Sequence, residues 1–239
     1  MVGTVLVVTA LAFAAWSARA TTPPSAQVVA LAEEATMTDA GKALFYGTDP
    51  EVLDAATFAG RCPAGAVGCY SATSIVVYEP ADARLHGWVV TVAAHEMLHA
   101  AYDSLSPDDR RQVDVLLAAT VARLDPDDVL LAQVDASVGE YEQSRTSEQF
   151  AYVGSQLADI DPQLEQVYAR FLTDRQAVVH AYTSTSSLLV SMAAQHTTEQ
   201  HVLELLEAQG RTGDALGQRT VVDSLALDIA TLHEQVVIP

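Results

Sequence analysis

The sequence predicts a mainly α fold carrying a small sheet (α+β), and three observations lead there. Prolines and short polar residues mark several helix starts, apolar residues recur at helical spacing through the second half, and a single segment has the β-branched composition of a strand. Near the N-terminus, Ala26–Ala35 and Asp39–Tyr46 read as short helices, and Asp49-Pro50 marks a turn. Ser74–Glu79 (Ser-Ile-Val-Val-Tyr-Glu) is the strand candidate, ended by Pro80. From Leu85 onward helical signals dominate. Ser106-Pro107-Asp108-Asp109 puts a cap, a first-turn proline and acidic residues where a helix begins, and Asp125-Pro126-Asp127-Asp128 repeats that arrangement. Asp161-Pro162 opens a further helix whose Leu164, Val167, Tyr168, Phe171 and Leu172 form a one-sided stripe. In the tail, Val202 to Leu206 and Val221 to Val236 suggest two or three amphipathic helices separated near Gly210–Gly213 and packed as a hairpin.

The chain has 239 residues, half of them hydrophobic, enough for one domain or a core with a helical appendage. Acidic residues outnumber basic ones 31 to 12, giving a formal charge of −19, and Lys42 is the only lysine. Such a surface repels phosphate backbones, so no nucleic-acid partner is expected. Residues Val2 to Trp16 are almost wholly apolar, and Ala18-Arg19-Ala20 follows as an A-x-A-like site. Residues 1–20 therefore read as a signal peptide or an N-terminal membrane anchor, placing the rest of the chain outside the cytoplasm, secreted or tethered. Cys62 and Cys69 stand with six residues between them in a Gly- and Pro-containing stretch. In an exported chain this spacing suits one small disulfide, whereas in a cytosolic chain the two would be free thiols.

The segment Trp88 to Tyr102 carries His95-Glu96-Met97-Leu98-His99, an HExxH motif inside an uninterrupted helical pattern. Residues four apart sit one turn above each other, so His95 and His99 present their imidazoles to a single ion and Glu96 lies beside them. With seven histidines and thirteen glutamates in the chain, chance places this motif about 0.01 times per sequence, so accident explains it poorly. A zinc ion bound there lowers the pKa of a water, and Glu96 can take its proton as general base. A catalytic zinc wants three protein ligands and one open position. Ala100 to Leu105 supply no third histidine, so the remaining ligand comes from farther along. Glu148 is preferred, because it stands in the first turn of an amphipathic helix that Thr146 or Ser147 can cap, while its competitors Glu140 and Glu142 flank Tyr141 at a solvated helix end.

An HExxH helix preceded by a strand and followed by Glu148-Gln149-Phe150-Ala151, an E-x-x-A pattern, resembles the gluzincin branch of zinc metallopeptidases, in particular its membrane-linked families and uncharacterised exported bacterial proteins of that kind. The resemblance covers about Cys62 to Arg175. It implies a minimal zincin-like core, a peptide or protein substrate, one zinc ion per chain on His95, His99 and Glu148, and Glu96 as the base of a zinc-dependent endopeptidase. It also implies that the strand before the helix, Ile75–Tyr78, pairs with an extended substrate. The chain departs from those families at Tyr152, where they carry an aspartate that orients a ligand histidine. Tyr152, Arg145 and Tyr141 are candidates for stabilising the oxyanion, and His86, His180, His196, His201 and His233 are read as structural or surface residues. The expected organisation is a core over 21–175 and a helical region over 176–239, the latter able to bind a helical partner or a second copy. The alternative reading is a zinc-binding but catalytically silent module of the cell envelope acting through that tail.

Overall fold

Helices begin where a short polar side chain can satisfy their orphan N–H groups. In the structure, a computed structural model that describes residues 23–236, Ser25 caps α1 (Ala26–Glu34) and Thr38 caps α2 (Asp39–Gly47). Ser106 caps α5 (Pro107–Val121) and Asp161 caps α8 (Pro162–Tyr168), both with proline in the first turn as anticipated. The second proline signal is displaced. The Asp125 carbonyl closes a turn with the Asp128 N–H, and α6 (Val129–Val138) starts three residues late with Asp128 as its cap. Helix α8 also stops at Tyr168, short of the predicted stripe. Phe171 and Leu172 are still buried, Leu172 in a β-bridge to Met37. The apolar segment read as a signal or anchor lies outside the described residues, and among those residues no helix is long and apolar enough to cross a membrane.

The fold is mainly α with one small mixed sheet. Its strands are β1 (Glu51–Leu53), β2 (Gly68–Ser71) and β3 (Ser74–Tyr78), and a short α3 (Ala55–Phe58) follows β1. The order is β1-β3-β2, with β1 parallel and β2 antiparallel to β3. The predicted strand is thus the central one, hydrogen-bonded on both sides, so Ile75–Tyr78 offers no free edge. The outer edges belong to β1 and β2. One sheet face packs on α4 (His86–Ser104), which a 3₁₀ turn at Ala83–Leu85 introduces.

Helix α4 is the centre of the molecule. Val89, Ala93, Met97, Leu98 and Ala101 are buried in the main core with Phe45, Ile75, Val77, Phe150 and Tyr168. Each large apolar side chain there contributes about 1.5–3 kcal/mol. Helix α7 (Arg145–Gln156) closes on α4 through Gly154, where an added Cβ would stand 2.6 Å from both Leu98 and Tyr168. The absent side chain is what lets the two helices approach. Arg175, buried at the start of α9 (Arg175–Ala208), donates to the carbonyls of Leu157 and Ala158 just past the end of α7 and pairs with Glu165.

Helix α9 and α10 (Thr212–Val236) form the anticipated hairpin, turning at Gly210 with φ +69°, and Gln218 donates to Glu199 across it. The first turns of α9 still belong to the main core through Val178. The hairpin is seated on the entry to α4, where Leu85, Met192 and Leu232 pack together and Arg84 pairs with Asp82 and Asp228.

Candidate metal centre

Two helices build the centre. On α4, the four-residue spacing stacks His95 and His99 on one side, with their Nε2 atoms 3.2 Å apart. From α7, Glu148 in the first turn brings Oε2 to 3.7 Å from His95 Nε2 and 3.6 Å from His99 Nε2. These three donors could hold a metal ion. Glu148 was the preferred third residue. Glu142 instead pairs with Arg145 away from the cluster.

The three side chains are largely shielded, at 12, 10 and 15% exposure for His95, His99 and Glu148. His99 Nδ1 lies 2.8 Å from the Ser147 hydroxyl. If Nδ1 carries the proton and donates to Ser147, the Nε2 lone pair faces Glu148 and His95, the tautomer a metal requires. The sequence suggested Thr146 or Ser147 as a helix cap. In fact the helix begins at Arg145 after Ser144, with no capping side chain, and Ser147 serves His99 instead. Replacing Ser147 by alanine is expected to weaken metal binding by about tenfold with little change in the fold, because the ring loses its orienting partner. A chelator-competition titration measures it, and unchanged affinity contradicts the role.

Glu96 is buried beside the cluster, 6% exposed. Edge strand β2 leaves space for it. A Cβ on Gly68 would stand 2.8 Å from Glu96 Oε1 and 2.5 Å from Val92, so only glycine fits there without displacement. Two residues on, the Tyr70 ring lies parallel to that of His99, 6° between planes and 6.1 Å between centroids, while its hydroxyl donates to Asp103. Tyr152 meets the His95 ring edge to face at 4.5 Å, but its hydroxyl bonds Ser137 on α6 and not a histidine nitrogen. The orienting role that its position implied is therefore not filled by its hydroxyl. Arg145 is engaged with Glu142 and Asp135, and Tyr141 is 68% exposed. The structure brings neither of them to the cluster. Cys62 and Cys69 are joined in a disulfide. His86 opens α4 and pairs with Glu34, while His180, His196, His201 and His233 lie on the tail helices.

Burial pushes the Glu96 carboxyl up to about 7, with His95 opposing and Glu148 adding to the rise. Burial, reinforced by His95, holds the His99 imidazole down at about 3. For Glu148, burial alone would raise the carboxyl, but the imidazoles of His95 and His99 beside it, 3.7 and 3.6 Å from Oε2, outweigh it and lower it. These shifts set opposing pH dependences in the metal-free chain. The unfolded chain protonates His99 near 6.5 whereas the folded one resists to about 3, so acidification through that range removes stability. Glu96 has the reverse sign: its contribution is largest below 4.5, its ordinary value, and is lost as pH rises toward 7. Between 4.5 and 6.5 the two nearly cancel, and below 4.5 His99 and Glu148 act together. Urea unfolding of the metal-free chain is expected to show little net contribution from His99 and Glu96 between pH 6 and 5 and a falling stability below 4.5, where the lowered carboxyls of Asp54, Asp82, Glu142 and Asp228 act in the same direction. Rising stability toward pH 4 contradicts this assignment.

Sequence reading missed Ser147 as a histidine partner, and Gly68, Tyr70 and Tyr182 altogether. Tyr182, on α9, lies close enough to Tyr152 to add to the upward shift that burial gives that phenol. Ser147 adjoins Glu148 in sequence, which was the one signal available for its reach to His99. Comparison of the chain with protein families, with characterised proteins and with solved structures finds no match, so its function is argued from the chemistry of this centre.

Proposed function

We propose that the chain is a zinc metallopeptidase of the gluzincin type, an endopeptidase holding one zinc ion on His95, His99 and Glu148 with Glu96 as general base. The observation that carries the reading is the convergence of two Nε2 atoms and one carboxylate oxygen with separations of 3.2, 3.6 and 3.7 Å. Tetrahedral zinc with bonds of about 2.0–2.2 Å keeps its ligand atoms about 3.3–3.6 Å apart, so the donor set fits that ion, and three protein ligands leave a fourth position open. When bound, zinc supplies Lewis acidity toward a water and a scissile carbonyl. Glu96, buried beside the three donors, would take the proton of the attacking water and deliver it to the departing amine nitrogen. His99, with Nδ1 donating to Ser147, would present its Nε2 lone pair to the ion. Strand β2 lies at the sheet edge beside His99, and its unpaired backbone can accept an extended peptide chain, which supports a peptide substrate. The Cys62–Cys69 disulfide supports an extracytoplasmic location.

The second reading, a catalytically silent zinc module working through the tail, is favoured by the positions of Arg145 and Tyr141 away from the cluster and by exposed Val190, Leu216 and Leu227 on the hairpin, which suit a helical partner or self-association. Hydrolysis of unstructured protein substrates separates the two. Cleavage that a chelator abolishes and added zinc restores is the expected result. A chain that holds zinc and cleaves nothing sustains the second reading.

A further inference from the structure

Strand β2 is four residues long and, among the described residues, pairs as a strand only with β3. Alternation sends Gly68 and Tyr70 toward α4, where they meet Glu96 and His99, and sends Cys69 to the opposite face. On that outer face Phe58, Val76 and Tyr78 form a small separate core, with Leu53, Cys62, Val67 and Cys69 packed against it. The Cys62–Cys69 bond, with 5.7 Å between Cα atoms, ties β2 to the loop that follows α3. That loop is anchored in turn to the far strand of the sheet, through the ion pair of Arg61 with Glu51 of β1. The wall of the metal centre is thus braced from behind by a single covalent bond, and both cysteines are partly exposed.

We propose that the Cys62–Cys69 disulfide is a redox-sensitive clamp on the metal centre: intact, it presses β2 against α4, and cleaved, it lets β2 loosen so that the centre loses metal affinity while the helical fold persists. This inference rests on the metal-site reading above. The reductant is a small dithiol. One of its thiolates attacks a cysteine Sγ, the Cys62–Cys69 bond breaks, and the other cysteine leaves as a thiolate that takes up a proton. Its second thiol then displaces the remaining cysteine, which is protonated as well. The chain gains two electrons and two protons, and the dithiol ends as a cyclic disulfide. Without the bond, β2 is held only by its ladder to β3 and by a small core that has lost its closing contact. Tyr70, whose ring lies parallel to that of His99, then no longer backs that imidazole.

The test is a zinc titration against a chromogenic chelator, using the full chain in three forms: oxidised, dithiol-reduced with the reductant then removed under anaerobic conditions, and a Cys62→Ser/Cys69→Ser double variant. Zinc affinity about tenfold or more weaker in the second and third forms, with an unchanged helical circular dichroism signal and recovery on reoxidation, is the expected result. Equal affinity in all three forms overturns the clamp, as does collapse of the helical signal on reduction, which would make the bond merely structural. Absence of zinc from the oxidised chain is a different failure, that of the metal site itself.

Discussion

Replacing Glu96 by glutamine is expected to lower peptide hydrolysis by about 10²- to 10⁴-fold while leaving the bound zinc in place. The substitution keeps the size of the side chain and removes the atom that accepts a proton. Glu96 donates no atom to the cluster of His95, His99 and Glu148, so metal retention has no reason to change. The site is also tolerant of a neutral group, because burial already moves the Glu96 carboxyl up to about 7 in the metal-free chain. A variant that folds at least as well as the parent, binds as much zinc and cleaves nothing separates proton transfer from binding. Retained hydrolysis would remove Glu96 from the mechanism.

Removal of the metal is expected to destabilise the chain substantially. Buried between α4 and α7, the cluster holds two imidazoles whose Nε2 atoms face each other at 3.2 Å beside a carboxylate, a set of donors that could hold a cation. An ion bound only by the folded state stabilises it by about 4 kcal/mol when its free concentration is a thousand times Kd. For a chain of this size that corresponds to a melting temperature lower by about 8–16 °C after chelation. Differential scanning calorimetry with and without a chelator measures it. The His99→Ala variant, which has lost the ligand, is expected to melt at the same temperature in both conditions. Equal melting of the parent chain in both conditions would contradict a metal that bridges the two helices.

What the sequence reveals of this fold follows from how local each interaction is. The Ser106-Pro107 start is legible because cap and proline act within one turn. Asp125-Pro126 misleads because Asp125 and Asp128 can each cap, and the chain spends the first in a turn. Strands β1 and β2, three and four residues long, carry no alternating apolar signature in Glu51-Val52-Leu53 or Gly68-Cys69-Tyr70-Ser71. They are strands because β3 offers them two edges, and pairing across sequence leaves no local mark. For the same reason β3 is taken for an edge until its neighbours are seen.

The centre divides the same way. The spacing of His95, Glu96 and His99 is a property of one helix and is read directly. Glu148 is legible only through its position in a later first turn, and its convergence with the histidines depends on the close approach at Gly154. Ser147, Gly68 and Tyr70 act through contacts with residues of distant sequence number, and a serine or glycine chosen for such a contact looks like any other. Tyr152 is the converse case. Its place in the motif suggested a histidine partner, yet Ser137 on α6 takes its hydroxyl, leaving only the ring against His95.

Elemental mass spectrometry of the purified chain, beside His95→Ala and Glu148→Ala, reads directly whether the cluster holds zinc. The expected result is one zinc per parent chain, none in His95→Ala and a weakened, substoichiometric content in Glu148→Ala. A folded parent chain that contains no zinc, and takes up none on reconstitution, would contradict it.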